Sequence, residues 1–414
     1  MTTGSRKAIA DCLLALASRA LAMPLTWLVP RDPRRWLVIG REHGRFLDNA
    51  KYFFIWMQQN TADEVTVSFL SERRRAVRDL RAAGARAVSY PGLRAFFALL
   101  RSQTVVVDTV DPIEHGRLGF LRGARLVQLW HGAPLKQVER PLYLRQLAAT
   151  GALARSLLRL YKRIIRRYRP SDVLVSTSTY FTERAFGPCF AARRIVATGY
   201  PRNDIVLSGE GYSPALVNIN VDQRAADTLA RHRAGGGRVV LYAPTFRADM
   251  RSPFENGTIS LARWSAHAKA HGYVLLLKLH PSMQARSLLA ALPSVIALAP
   301  ESDVYPMLRD TDAMVTDYSS IFFDYLLLDR PIVFFVYDRK RYASEDHGFL
   351  FDYDEMTPGP KVESADELFA AIERNLGTAP DSWADARRRV VALAFDHRDG
   401  QASRRLWQAL REER

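Results

Sequence analysis

Cysteine is the scarcest informative residue in this chain: two in 414 residues, Cys12 and Cys189. No Cys-x-x-Cys pair or Cys/His cluster accompanies them, which argues against a zinc site and agrees with a reducing compartment. No Walker-type loop and no Gly-x-Gly-x-x-Gly follows an apolar run, so ATPase and dinucleotide-dehydrogenase chemistries lack their phosphate cradles. No stretch of eighteen uncharged apolar residues occurs, and no transmembrane helix is expected. No repeat at a solenoid period is visible.

What is abundant is positive charge. Fifty-nine basic against 43 acidic residues leave a formal charge of +16. Such a surplus favours a polyanionic partner: nucleic acid, anionic lipid or a phosphate-rich polymer. No nucleic-acid-binding module or interleaving of aromatic and basic residues supports the first. With 48% hydrophobic and 25% charged residues the composition is that of a folded protein, and the length predicts two domains.

Arg6 and Lys7 precede an apolar run from Ala8 to Ala17, and Ala20-Leu21-Ala22 has the form of a signal cleavage site. Asp11 interrupts that run and Arg19 flanks the site, so residues 1–30 read as an amphipathic segment lying on a membrane. A second basic amphipathic stretch spans Leu153 to Arg169. Leu153, Leu157, Leu160, Ile164 and Tyr168 form one stripe, and Arg155, Arg159, Lys162, Arg166 and Arg169 another. It suits an anionic membrane surface or an ordinary helix packed on a sheet.

Short β-branched runs alternate with helical stretches through both halves, from Trp36–Gly40 to Arg194–Thr198 and from Arg238–Tyr242 to Pro331–Val336. Buried parallel strands have this pattern. The expected fold is α/β, with two doubly wound Rossmann-like domains: residues 34–232, then 233–414 with the Gly235-Gly236-Gly237 turn at its entrance. Ligands in such sheets sit outside the carboxyl ends of the strands, so the residues after each run are the candidates.

Four of these positions stand out. His131-Gly132-Ala133-Pro134-Leu135-Lys136 follows the run ending at Trp130. Its histidine suits a general base, or a residue fixing a turn. Thr245 and Arg247 follow Tyr242 and suit phosphate recognition, or an ordinary surface turn. Lys278 and His280 share one strand face, a placement that suits a charged leaving group or a solvated strand end. Asp317-Tyr318-Ser319-Ser320 opens a helix, offering phosphate-binding N–H groups or plain capping. Asp310-Thr311-Asp312 has the form of a metal-binding Asp-x-Asp, but it precedes its strand and is set aside.

Together these segments resemble the CDP-glycerol glycerophosphotransferase family, the enzymes of teichoic-acid and related capsule synthesis. The likeness runs in order through Asp48-Asn-Ala-Lys-Tyr52, Gln128–Gly132, Gly199–Asp204, Tyr242–Arg247, Leu277–Pro281 and Thr316–Ser320. It continues through Phe351–Asp354, Pro358–Pro360 and Asp399–Ser403. The resemblance implies a glycosyltransferase-B (GT-B) type fold, with the nucleotide donor mainly on the second domain. The family's two functional histidines fall on His131 and His280. Ala133 replaces the family's usual threonine after His-Gly. A membrane-associated transfer of polyol phosphate from CDP-glycerol or a related donor to a lipid-linked or polymeric acceptor is implied. Gly132 and Lys136 would lie on the acceptor side, and Thr245, Arg247, Lys278, Asp317, Ser319 and Ser320 would hold the donor phosphates. No cofactor or metal is expected, because fixed cations can neutralise the transferring group. The competing readings are a GT-B glycosyltransferase using a nucleotide sugar, and a silent scaffold of the same fold.

Overall fold

Two parallel sheets organise the computed structural model, which describes residues 3–109, 119–165, 170–245, 253–254, 257–279, 292–342 and 348–412. The first sheet contains β1 (Asp32–Ile39), β2 (Thr66–Ser71), β3 (Ala87–Ser89), β4 (Ser102–Val107), β5 (Arg125–Gln128), β6 (Ser171–Ser176) and β7 (Ala192–Ala197). Its order is β3-β2-β1-β4-β5-β6-β7. The second contains β8 (Arg238–Tyr242), β9 (Tyr273–Leu277), β10 (Val295–Ala297), β11 (Ala313–Thr316), β12 (Ile332–Phe335) and β13 (Lys361–Val362), in the order β10-β9-β8-β11-β12-β13. The central strands bury both faces; the last four residues of β1 and all of β11 and β12 are buried. This is why they read as continuous apolar runs rather than alternating ones.

Each sheet reverses its winding once, at β1/β4 and at β8/β11. Such a reversal opens a crevice at the carboxyl ends of the strands, because the crossover helices diverge to opposite faces. The two Rossmann-like units form the expected GT-B arrangement.

The chain does not stay on one side of residue 232. Helix Gln223–Ala234 packs against β8 and β10 of the second sheet. Helix Ala402–Arg411, at the far end of the chain, returns to the first unit and packs Trp407 against Trp36 with ring centroids 5.2 Å apart and the rings tilted by 56°. Asp204 fixes that return: its carboxylate accepts from the Ala402 and Ser403 N–H groups at 2.7 and 3.0 Å and from the Tyr212 hydroxyl at 2.8 Å. The paired segments Gly199–Asp204 and Asp399–Ser403 are therefore one junction.

The amino-terminal segment is helical, with Thr3–Ala17, a π-helical turn at Ser18–Ala22, and Met23–Leu28. The stretch Ala8–Leu28 has a mean hydropathy of 1.6 over its best window and is long and apolar enough to cross a membrane by length and composition. That differs from the expectation of no such helix, because two charges in 21 residues do not outweigh the rest. The segment is docked on the protein body. The Gly119 N–H donates to Ser18 Oγ at 2.7 Å, and Arg122 lies over the Trp27 ring at 4.9 Å.

Candidate active site

Helix Asp48–Asn60 and the turn after β5 build the first wall of the crevice. Trp130 adopts a φ of 57°, a costly conformation for a bulky residue. Side chains on both flanks hold it there. Gln128 Oε1 accepts from the Trp130 N–H at 2.8 Å, and Asn49 Nδ2 donates to the Trp130 carbonyl at 2.9 Å. The turn folds His131 back against the Trp130 ring, centroid to centroid 4.1 Å.

His131 Nδ1 lies 2.9 Å from the main-chain carbonyl of Asp108, at the end of β4. A carbonyl only accepts, so Nδ1 carries the proton and Nε2 keeps its lone pair. Burial, followed by the nearby Arg41 charge, lowers the His131 pKa to about 3, against partial opposition from the Asp108 carbonyl and Asp48. The imidazole is thus neutral and oriented, the form a general base requires.

A buried charge cluster lies beneath it. Arg202 donates to Asp48 and, at 2.9 Å, to the His131 carbonyl, while its Nε and Nη2 reach the two Asp324 oxygens at 3.2 and 2.7 Å. Asp48 belongs to the first unit and Asp324, in helix Ile321–Leu326, to the second, so Arg202 ties the two walls together. Burial would raise Asp48, but Arg202 and Arg41 outweigh it and hold its pKa below the ordinary value. Burial dominates at Asp324 and pushes it to about 6 despite Arg202. Burial likewise lifts Asp108 well above the carboxylate range, with Arg41 only partly opposing.

On the second wall, Asp317 and Thr245 meet across the β8/β11 switch point. Asp317 Oδ1 accepts from the Thr245 N–H at 2.8 Å and the Tyr318 N–H at 2.6 Å. Through Oδ1 the Asp317 carboxylate shapes the two turns, the Thr245 turn and its own. Ser320 occupies the cap position of helix Ile321–Leu326 without a capping side-chain bond, so capping does not explain its hydroxyl. A Cβ built on Gly132 would fall 2.4 Å from Ser320 Oγ. Gly132 and Ser320 therefore touch across the crevice, and His131 and Ser319 flank that contact in the sequence.

Two lysines are engaged elsewhere. Lys278 Nζ donates to the Pro300 and Ser302 carbonyls at 2.6 and 2.8 Å, leaving one donor at most for a phosphate. Burial lowers its pKa to about 8. Lys136 Nζ lies 3.0 Å from the Tyr342 hydroxyl, on a strap where the Gln137 N–H donates to the Gly348 carbonyl at 2.7 Å and the Leu350 N–H to the Leu135 carbonyl at 2.9 Å. Arg247 and His280 lie outside the described residues, as do Arg166, Tyr168 and Arg169 of the basic stripe. Asp312, of the discarded Asp-x-Asp, accepts from the Val239 N–H and pairs with Arg233, both at 2.7 Å.

Sequence reasoning assigned no role to Arg41, Asp108, Arg202 or Asp324. The available signal was polarity inside buried elements: Asp324 interrupts the apolar Ile321–Leu326 helix, and Asp108 directly follows the apolar strand β4. Lys51 is a further case. It is fully buried, and its ammonium donates to the Val217 and Ile219 carbonyls at 2.7 and 2.9 Å and pairs with Asp303 at 2.7 Å.

Near β2 and β10 lies a groove of about 860 Å³ whose walls carry Arg45, Arg73, Arg75 and Arg224 together with Asp79, Asp222 and Glu301. Arg45 and Arg73 both pair with Glu301, at 2.9 and 2.6 Å.

Residues 21–412 match the model of the family described as CDP-Glycerol:Poly(glycerophosphate) glycerophosphotransferase. The chain is 30% identical over 329 residues to a teichoic acid glycerol-phosphate transferase of Staphylococcus aureus (strain NCTC 8325 / PS 47), covering 77% of this chain and 78% of that protein. It is 28% identical over 292 residues to a teichoic acid poly(glycerol phosphate) polymerase of Bacillus subtilis (strain 168), covering 68% of this chain and 36% of that one. A variant of the wall teichoic acid polymerase TagF shares the fold at a TM-score of 0.70 and 22% identity, over 97% of this chain and 93% of that chain. The calicheamicin glycosyltransferase CalG4 shares it more distantly, at a TM-score of 0.50 and 14% identity, over 92% of this chain and 98% of that chain.

Proposed function

This chain belongs to the CDP-glycerol:poly(glycerophosphate) glycerophosphotransferase family, and from that premise we propose that it transfers glycerol phosphate, or a related polyol phosphate, from a CDP-activated donor. The acceptor is a hydroxyl of a cell-surface polymer or its lipid-linked primer, and CMP is released. The observation that carries the reading is His131: neutral, held by the Asp108 carbonyl through Nδ1, and set beside the Gly132–Ser320 contact.

In the proposed step the acceptor oxygen attacks the phosphorus that bears the polyol. A new P–O bond forms, the bond from that phosphorus to the oxygen of CMP breaks, and its electron pair leaves on CMP. His131 Nε2 takes the acceptor's proton. The Ser319-Ser320 turn and the Thr245 turn, both organised by Asp317, face the donor phosphates, with Arg247 and His280 assigned there through the family resemblance. The diphosphate brings negative charge toward a histidine whose pKa is depressed by burial and Arg41, and so raises its basicity as substrate binds. The step is proposed to run without a divalent metal, the N–H groups of the two turns stabilising the transferring charge together with Arg247 and His280, assigned there through the family resemblance.

The enzyme works at the inner face of the plasma membrane. Support comes from the docked amino-terminal helices and from helix Ala152–Ile164, which lies against them with Leu153, Leu157 and Leu160 exposed. The groove, with four arginines against Asp79, Asp222 and Glu301, keeps a slight positive surplus that suits a phosphate-bearing acceptor.

The test is CMP release from CDP-glycerol by the purified full chain, in chelator, with and without a glycerol-phosphate-primed acceptor. Acceptor-dependent release is expected. Release only from CDP-ribitol or a nucleotide sugar would replace the substrate, and silence with every donor would overturn the reading.

A further inference from the structure

Far from the crevice, three potential ligands converge on the second unit. His267 and His271 lie one helical turn apart, at the end of helix Leu261–Ala270 and its cap, and their rings stack at 4.1 Å. Glu373 comes from helix Ala365–Leu376. Its Oε1 lies 2.8 Å from His267 Nε2 and 3.3 Å from His271 Nε2. The three ligand atoms all fall within 4.8 Å of one another.

The outer side of each ring is already engaged. His271 Nδ1 is 3.0 Å from the His267 carbonyl, so that nitrogen is the donor and, in the neutral ring, Nε2 presents a lone pair toward the carboxylate. His267 Nδ1 is 2.9 Å from the Tyr273 hydroxyl, which also accepts from Trp264 Nε1 at 3.1 Å, and the His267 ring lies on Phe369 at 4.3 Å. A His271 lone pair aimed at the Glu373 carboxylate calls for a cation between them, a proton or a metal. Tetrahedral zinc with bonds of about 2.0–2.1 Å sets its ligands about 3.3 Å apart; the His271–Glu373 pair stands at 3.3 Å, and the His267–Glu373 pair, at 2.8 Å, has to open slightly to admit the ion. Two imidazoles select a zinc-class ion over magnesium, which demands oxygen.

We propose that His267, His271 and Glu373 form a site for a zinc-class divalent cation, with the fourth position open to water. Glu373 and His271 are 46% and 43% exposed, so the position is accessible. Tyr273 begins β9, which places the site at the amino edge of the second sheet, opposite the strand ends that carry Thr245 and Asp317. The ion is therefore a staple between two helices and takes no part in transfer. The scarcity of cysteine concealed it, because two of its ligands lie more than a hundred residues from the third.

The experiment is calorimetric titration of tag-free, chelator-treated full chain with zinc chloride, paired with thermal unfolding. One equivalent is expected to bind and to raise the melting temperature, while magnesium chloride does neither. His271→Ala and, separately, Glu373→Gln should each weaken that binding by about tenfold or more and remove the thermal shift. CMP release should not change in either variant. Zinc binding that is absent, or equal in the wild type and both variants, would overturn the proposal.

Discussion

The Nδ1 atom of His131 and the carbonyl oxygen of Asp108 lie 2.9 Å apart, and this contact alone fixes which ring nitrogen can accept a proton. The carbonyl belongs to the backbone at the end of β4, so the orientation is built into the sheet. His131→Ala should lower CMP release about 10²-fold or more while thermal unfolding stays close to wild type. Turnover within a few-fold of wild type would remove His131 from the base role.

The pH profile follows from the sign of the same shift. A base must be deprotonated, and burial with Arg41 lowers the His131 pKa from 6.5 to about 3. The acid limb of kcat/KM, which reports free enzyme, should therefore fall well below pH 6.5, whereas kcat should bend at a higher pH because the bound diphosphate raises the pKa. Coincident acid limbs near 6.5 in both profiles would show that burial is not setting this histidine.

Gly132 has no positive φ to justify it; the close approach of Ser320 does. A methyl group at residue 132 would sit 2.4 Å from Ser320 Oγ and 3.2 Å from its Cβ. Gly132→Ala is expected to destabilise by about 1–3 kcal/mol through overpacking. Adding Ser320→Ala removes the nearer atom, so the double variant should recover part of the melting temperature. Strict additivity of the two changes would mean that the residues do not meet.

Most of the sheet architecture was legible because parallel strands buried on both faces leave unbroken apolar runs, as in β4 and β9. Strands β3 and β13 were not legible: three and two residues are too short to carry a pattern. Chain order also cannot show that helix Ala402–Arg411 closes back on Trp36. At the site, residues after strand ends were found by position, His131 and Thr245 among them. Their partners were harder to find. That Asp317 accepts from the Thr245 and Tyr318 N–H groups, 72 residues and one residue away, is something only geometry shows. Arg202 and Asp324 are 122 residues apart, and nothing local announces their pairing.

That pairing has an energetic consequence. Removing one member of a buried ion cluster strands the others, at about 3–5 kcal/mol. Asp324→Ala should therefore shift the urea midpoint substantially. The pH dependence has a definite sign. The folded pKa of Asp324 is raised from 3.8 to about 6, so the fold holds this proton more tightly than the unfolded chain does. Its contribution is fully present below 3.8 and is withdrawn as pH rises through about 6. The stability gap between wild type and Asp324→Ala should widen as pH falls across that window. A gap that narrows would place the shift in the wrong direction.

Asp11, the charge that breaks the first apolar run, accepts from the Tyr161 hydroxyl at 2.7 Å, and Arg19 donates to the Ile164 carbonyl. Both charges are thus spent against helix Ala152–Ile164, while Leu153 stays 78% and Trp27 65% exposed. Apolar side chains on two joined helices, with Arg159 and Arg163 exposed among them, suit the headgroup boundary of an anionic bilayer. Leu153→Ser combined with Leu157→Ser and Leu160→Ser should reduce co-sedimentation with phosphatidylglycerol vesicles by about tenfold, since each buried methylene contributes about 0.8 kcal/mol. CMP release with a soluble acceptor should be unchanged, because helix Ala152–Ile164 carries none of the residues that line the crevice. Equal sedimentation of the triple variant and wild type would show that this face does not meet the bilayer.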